Sequence, residues 1–114
     1  MLTHLAMESL AEQDLVPHAV LRKSVSDLAR QLGEPVYQGS DDLDLYEGIA
    51  LQLNGDIPFA LKWYHGHPAD TTTIYLSAEI SELNRITVLI ARIADELHLS
   101  NKDFVWQRKD NPEL

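Results

Sequence analysis

The chain has 114 residues, 45% of them apolar and 24% charged, which suits one folded domain and excludes a largely disordered polypeptide. Eighteen acidic residues against nine basic ones give a net charge of −9, which disfavours nucleic-acid phosphates and anionic membranes and is compatible with a cationic protein partner. Cysteine is absent, so disulfides, Cys-ligated zinc and thiol nucleophiles are excluded.

Residues 1–13, with Leu2, Leu5, Met7 and Leu10, read as an N-terminal arm or a short helix. This segment lacks the basic and apolar regions of a signal peptide, and no run reaches the roughly 18 apolar residues of a membrane helix. The expected location is the cytoplasm. With Asp14 as a cap and Pro17 in the first turn, Leu21, Val25, Leu28 and Leu32 form one helical stripe, which Gly33 and Pro35 end. "EPVYQGSDD" reads as a loop.

The apolar period then changes to two. Leu43, Leu45, Ile49, Leu51 and Leu53 mark one strand, Ile57, Phe59, Leu61 and Trp63 a second, and Thr72, Ile74, Leu76, Ala78 and Ile80 a third. A two-residue Asn54-Gly55 turn would oppose Leu53 to Asp56 and mix the two faces. A three-residue loop, Asn54 to Asp56, pairs Leu53 with Ile57, Leu51 with Phe59 and Ile49 with Leu61, and is therefore expected. Ser81 is the expected cap of a second helix with its stripe at Leu83, Ile86, Leu89, Ile90, Ile93 and Leu97, ending near His98 and Leu99 with Asn101 as a left-handed cap. Phe104–Arg108 can add an edge strand, and 109–114 is a polar tail. The expected fold is α+β: an antiparallel three- to four-stranded meander with two main helices on one face, in the order α-β-β-β-α with a further strand at the end, all in one domain.

The chemistry-bearing residues are few. In "WYHGHPAD", His65 and His67 flank Gly66, and the hairpin register sets Glu47 opposite Trp63 and His65 opposite Leu45. Two imidazoles and a carboxylate are a ligand set for a divalent metal such as zinc or iron, with Asp41, Asp42 and Asp70 in reach from loops. The alternative is a plain loop, in which Gly66 frees the backbone and Pro68 sets a turn. The run differs from the His-x-His-x-Asp-His pattern of metallo-β-lactamase-fold hydrolases in the place of its aspartate and in having no following histidine. The chain is also too short for that fold, so that family is excluded. No phosphate loop, zinc-protease helix or nucleophile elbow occurs. His4, His18 and His98 are isolated and read as solvated helix residues.

If both helices cover one sheet face, the other is left open with Ala50, Ala60, Lys62, Tyr64, Thr73 and Tyr75 on it. In the expected register Lys62 lies opposite Tyr75 and Tyr64 opposite Thr73. Tyrosines among small and polar neighbours resemble interface composition. The leading reading is a small, acidic, non-enzymatic protein without a cofactor that binds a protein partner or forms a homodimer through this face. Lys62, Tyr64 and Tyr75 are its contact residues, with Trp106 behind them. The second reading is a metal- or ligand-binding protein that uses Glu47, His65 and His67. Element order and acidity over residues 17–99 resemble the small acidic chaperones of type III secretion and bacterial toxin-immunity proteins. That resemblance implies a chaperone or immunity role toward a cationic partner, although the further strands and final helix of the secretion chaperones are missing.

Overall fold

The computed structural model describes residues 2–10, 13–40 and 44–108. Among the described residues, seven strands form one antiparallel sheet: β1 (Leu2–Leu5), β2 (Leu15–Leu21), β3 (Tyr37–Ser40), β4 (Leu45–Leu53), β5 (Ile57–Tyr64), β6 (Thr72–Ser77) and β7 (Phe104–Gln107). Their spatial order is β1-β4-β5-β6-β2-β7, with β3 also on β4. β1 and β3 share the outer edge of β4 end to end, since Leu5 pairs with Ala50 and Tyr37 with Gly48. Two helices, α1 (Val25–Leu32) and α2 (Leu83–Glu96), contribute to the main core.

The expected three- to four-stranded meander in the order α-β-β-β-α is thus corrected to seven strands. The β4-β5-β6 meander is present, and four further strands lie around it. Leu15–Leu21, expected to lead into a helix, is the strand β2. Pro17 is tolerated there because the pairing with β6 shifts between Pro17 and Ala19, where a missing N–H disturbs no regular ladder. Leu21 mimicked a helical stripe because it faces the same core as Val25 and Leu28. The helix itself starts four residues after the first residue of that stripe, at Val25. The Ser24 side chain accepts a hydrogen bond from the Asp27 amide (3.0 Å), and Gly33 ends the helix at φ 71°.

"YQGS", expected as loop, is β3. Its residues have weak strand preference, and pairing with β4 decides their conformation. The N-terminal arm is β1 followed by a single 3-10 turn over Met7–Leu10. At the second helix the N-cap is Glu82 rather than Ser81, and the left-handed residue after the helix is His98 (φ 57°) rather than Asn101. Asp41, Asp42, Leu43 and the tail at 109–114 lie outside the described residues.

The β4–β5 hairpin has the three-residue register: Leu53 pairs with Ile57, Leu51 with Phe59, Ile49 with Leu61 and Glu47 with Trp63. Asn54 and Gly55 both have positive φ and the Asp56 amide bonds to Leu53 O (3.3 Å), so Asp56 is the inserted residue that keeps Leu51 and Phe59 on one face. On that face, Ile49, Leu51, Phe59, Leu61, Ile74 and Leu76 pack under Val25, Leu28, Ile86, Leu89, Ile90 and Ile93.

The opposite face is covered, not open. β1 and β2 lie on opposite sides of the meander, and the segment that leaves β1 packs on this face: Met7 and Leu10 are buried against Ala50, Ala60, Tyr46, Tyr64 and Tyr75. Ala50 pairs with Ala60, and Ala60 with Tyr75. These two small side chains leave a trough for the crossing segment. Gly48 extends it, since a Cβ there would meet the Met7 Cε at 3.0 Å. Met7→Ala should therefore destabilise the fold by about 2 kcal/mol, the lower end for a buried methionine. Urea unfolding measures this, and a loss below about 0.5 kcal/mol, the range of ordinary surface substitutions, would show that the segment is not packed on the sheet.

Candidate functional site

Three places carry the residues that the sequence singles out. The first is the tyrosine face. Lys62, Tyr64 and Tyr75 are only 8%, 5% and 9% exposed. The Lys62 ammonium lies 4.3 Å from the Tyr46 ring centre and 5.7 and 5.6 Å from those of Tyr64 and Tyr75, and its Nζ donates to the Tyr64 hydroxyl at 3.4 Å. Cation–π attraction holds the charge at the protein surface's inner edge while its stem is buried. The register differs from expectation by two residues: Lys62 pairs with Thr73 and Ala60 with Tyr75. The group is an internal cluster of this chain, sealed by the N-terminal crossing.

The second place is the His-Gly-His turn. Glu47, His65 and His67 do not meet as a three-ligand set, and among the described residues no group of three or more His, Asp or Glu side chains is placed to hold a metal ion. His65 continues the parity of Trp63 and lies beside its ring, with centroids 5.0 Å apart. The His67 amide donates to Tyr64 O at 3.0 Å, closing a turn through Gly66 (φ 98°), and the His67 ring lies beside Tyr64 instead. Trp63 and Tyr64 occupy opposite sheet faces, so the turn separates the imidazoles. Trp63 Nε1 fastens it by donating to Pro68 O (3.1 Å) and His67 O (3.3 Å). Glu47 borders two open pockets, one of about 350 Å³ shared with His65 and one of about 160 Å³ shared with Trp63, Asp70 and Ser24.

The third place is the β7 edge. Phe104 packs against the main core, whereas Val105 and Trp106 are 48% and 45% exposed. β7 pairs with β2 through Leu21–Phe104, Val20–Trp106 and Ala19–Gln107, and it is the last strand in the sheet order. Arg108 lies over the Trp106 ring at 5.5 Å, its amide donates to His18 O (2.8 Å) and its Nη2 to Pro17 O (3.2 Å). Trp106 was legible as an edge residue in the sequence. Val105 and Arg108 were legible only as its neighbours, and His18 was misread.

His18 is a buried strand residue, 3% exposed, at the β2 irregularity, and neither ring nitrogen has a hydrogen-bond partner among the described residues. His4 lies in β1, 3.8 Å from Glu34, and His98 follows α2. Burial, with the Arg108 charge adding to it, lowers the His18 pKa below the ordinary imidazole range.

No family model, curated protein or solved structure matches this chain. The likeness to secretion chaperones and immunity proteins rested on an element order that begins with a helix at residue 17, and Leu15–Leu21 is a strand. Nothing in the fold therefore carries it further.

Among the described residues, no helix is long and apolar enough to cross a membrane. The depressed His18 pKa has a defined consequence for stability. The unfolded chain takes up the imidazole proton near pH 6.5, before the folded protein does, so His18 opposes stability only once the pH falls from about 6.5 toward and through its folded pKa. Above that window its contribution is complete. His18→Leu should consequently lose less stability than the parent between about pH 7.5 and about pH 5, a window that spans the ordinary imidazole pKa. Urea titrations at both pH values read this, and parallel losses in the two proteins would show that His18 is not held neutral.

Proposed function

We propose that the protein is a non-enzymatic, cytoplasmic binding module whose protein partner docks along β7. The observation that supports this most directly is that β7, which among the described residues has no strand on its outer side, carries two exposed apolar side chains, Val105 and Trp106, on a sheet with a buried core on each face. An edge strand presents backbone donors and acceptors to an incoming strand, and natural sheets usually blunt such edges. A tryptophan beside that ladder supplies the large, rigid contact area that dominates protein interfaces. Phe104 anchors the strand from the core side, so the edge is held in place before a partner arrives.

This reading moves the contact site from the tyrosine face to the sheet edge. Of the four expected contact residues, Trp106 keeps that role, and Lys62, Tyr64 and Tyr75 act as internal packing. A random peptide library panned against immobilised protein tests the edge. Peptides retained by the parent should bind Trp106→Ser and Val105→Pro at least about tenfold more weakly, as loss of an interface anchor or of a strand donor requires. Melting temperatures should change little for Trp106→Ser, since the residue is half exposed. Peptides that bind parent and variants alike, or no enrichment at all, would remove the proposal.

A further inference from the structure

The β7 edge differs from the rest of this acidic protein in its charge. Arg22 follows β2 directly, and its amide donates to Asp103 O at 2.7 Å, next to the start of β7. Lys23 and Lys102 are close enough to Asp103 to help lower its carboxyl pKa, after the larger effect of the Ser100 amide. Arg108 closes the other end over Trp106. Four of the nine basic residues therefore flank one four-residue strand in a chain of net charge −9. The Asp103 carboxylate is engaged by Ser100, accepting from its amide at 2.8 Å and lying 3.4 Å from its hydroxyl. Carboxylates collect elsewhere, with Glu34, Asp44 and Glu47 around β3 and the start of β4 at the far edge of the sheet.

Resting on β7 as the docking edge, we infer that its partner is an acidic, extended segment of another protein, which adds to the sheet as an eighth strand with its carboxylates against Arg22, Lys23, Lys102 and Arg108. This partner has the opposite charge to the one that net charge alone suggests, because a docking strand meets the local field and not the sum over the molecule. A twofold pair of this chain through β7 would oppose two copies of the same cations. A nucleic acid would meet the same four cations but also the long-range repulsion of the whole chain, and the backbone ladder of β7 offers it nothing.

Two synthetic peptides of about eight residues, long enough to span a strand, separate these cases: one alternates glutamate with valine, the other lysine with valine. Binding is read by anisotropy of a dye on the peptide. The glutamate peptide should bind at least about tenfold more tightly than the lysine peptide and should weaken at least about tenfold between about 0.05 M and about 0.5 M salt, as screened surface charges require. Arg22→Glu/Lys102→Glu alters two exposed side chains and should reverse the preference. Trp106→Ser should weaken the glutamate peptide on the parent background.

Equal binding of both peptides, or a preference that the double variant leaves unchanged, overturns the inference. Tight salt-sensitive binding of a single-stranded oligonucleotide that displaces the glutamate peptide overturns the peptide assignment in favour of nucleic acid. Concentration-dependent self-association in sedimentation that Val105→Pro abolishes would make a second copy the occupant and overturns it as well. If library peptides depend on Val105 and Trp106 but are not acidic, the docking edge stands and the charge inference alone falls. If no peptide depends on β7, both fall.

Discussion

The pairing of β2 with β6 is the contact on which the rest of the molecule depends. It joins Leu15–Leu21 to Thr72–Ser77 across about half the chain, and it carries a register shift at Pro17 and Ala19. Without it the sheet would end at β6 and β7 would have no strand to lie on. The N-terminal segment would have no reason to cross the sheet. Such a long-range ladder closes a large loop, which costs chain entropy before its contacts repay it. Burial of Ala19 and Leu21 in the main core, together with the Thr72 hydroxyl donating to Lys23 O at 2.6 Å, sets its position at one end.

That placement divides the apolar side chains into two cores on either side of one sheet. The larger lies under the helices. The smaller is built on the row Ala50, Ala60 and Tyr75, where two alanines make room for Met7 and Leu10. An amphipathic face that could have been a binding surface is used to hold the chain's own N-terminal crossing. Lys62 fits there because three tyrosine rings surround its ammonium, which offsets part of the cost of withdrawing a charge from water. With both faces filled, the proposed partner is left the sheet's edges: the β3 edge exposes Tyr37 near Glu34, Asp44 and Glu47, whereas β7 exposes Trp106 with cations beside it.

The sequence by itself determined what depends on near neighbours. Alternation of apolar residues sets the β4–β5 register, because a slip of one residue would have turned Leu51 and Phe59 to opposite faces. Helical spacing with Gly33 sets the end of α1, and "FVWQ" shows β7 as a strand. The Trp63–Glu47 and His65–Leu45 oppositions follow from the same parity. What only the tertiary structure decided is what depends on partners distant in the chain. Leu15–Leu21 carries a proline that suits a first helical turn, and its Leu21 stands at helical spacing from Val25 and Leu28, but the edge of β6 chose the strand. Tyr37–Ser40 became a strand because β4 had a free edge. The tyrosine face was covered because β1 and β2 lie on opposite sides of the meander. The two histidines parted because a turn closed on Tyr64 sends His67 to one side and leaves His65 on the other. Local spacing records which way a side chain points, and it does not record what the rest of the chain lays against it.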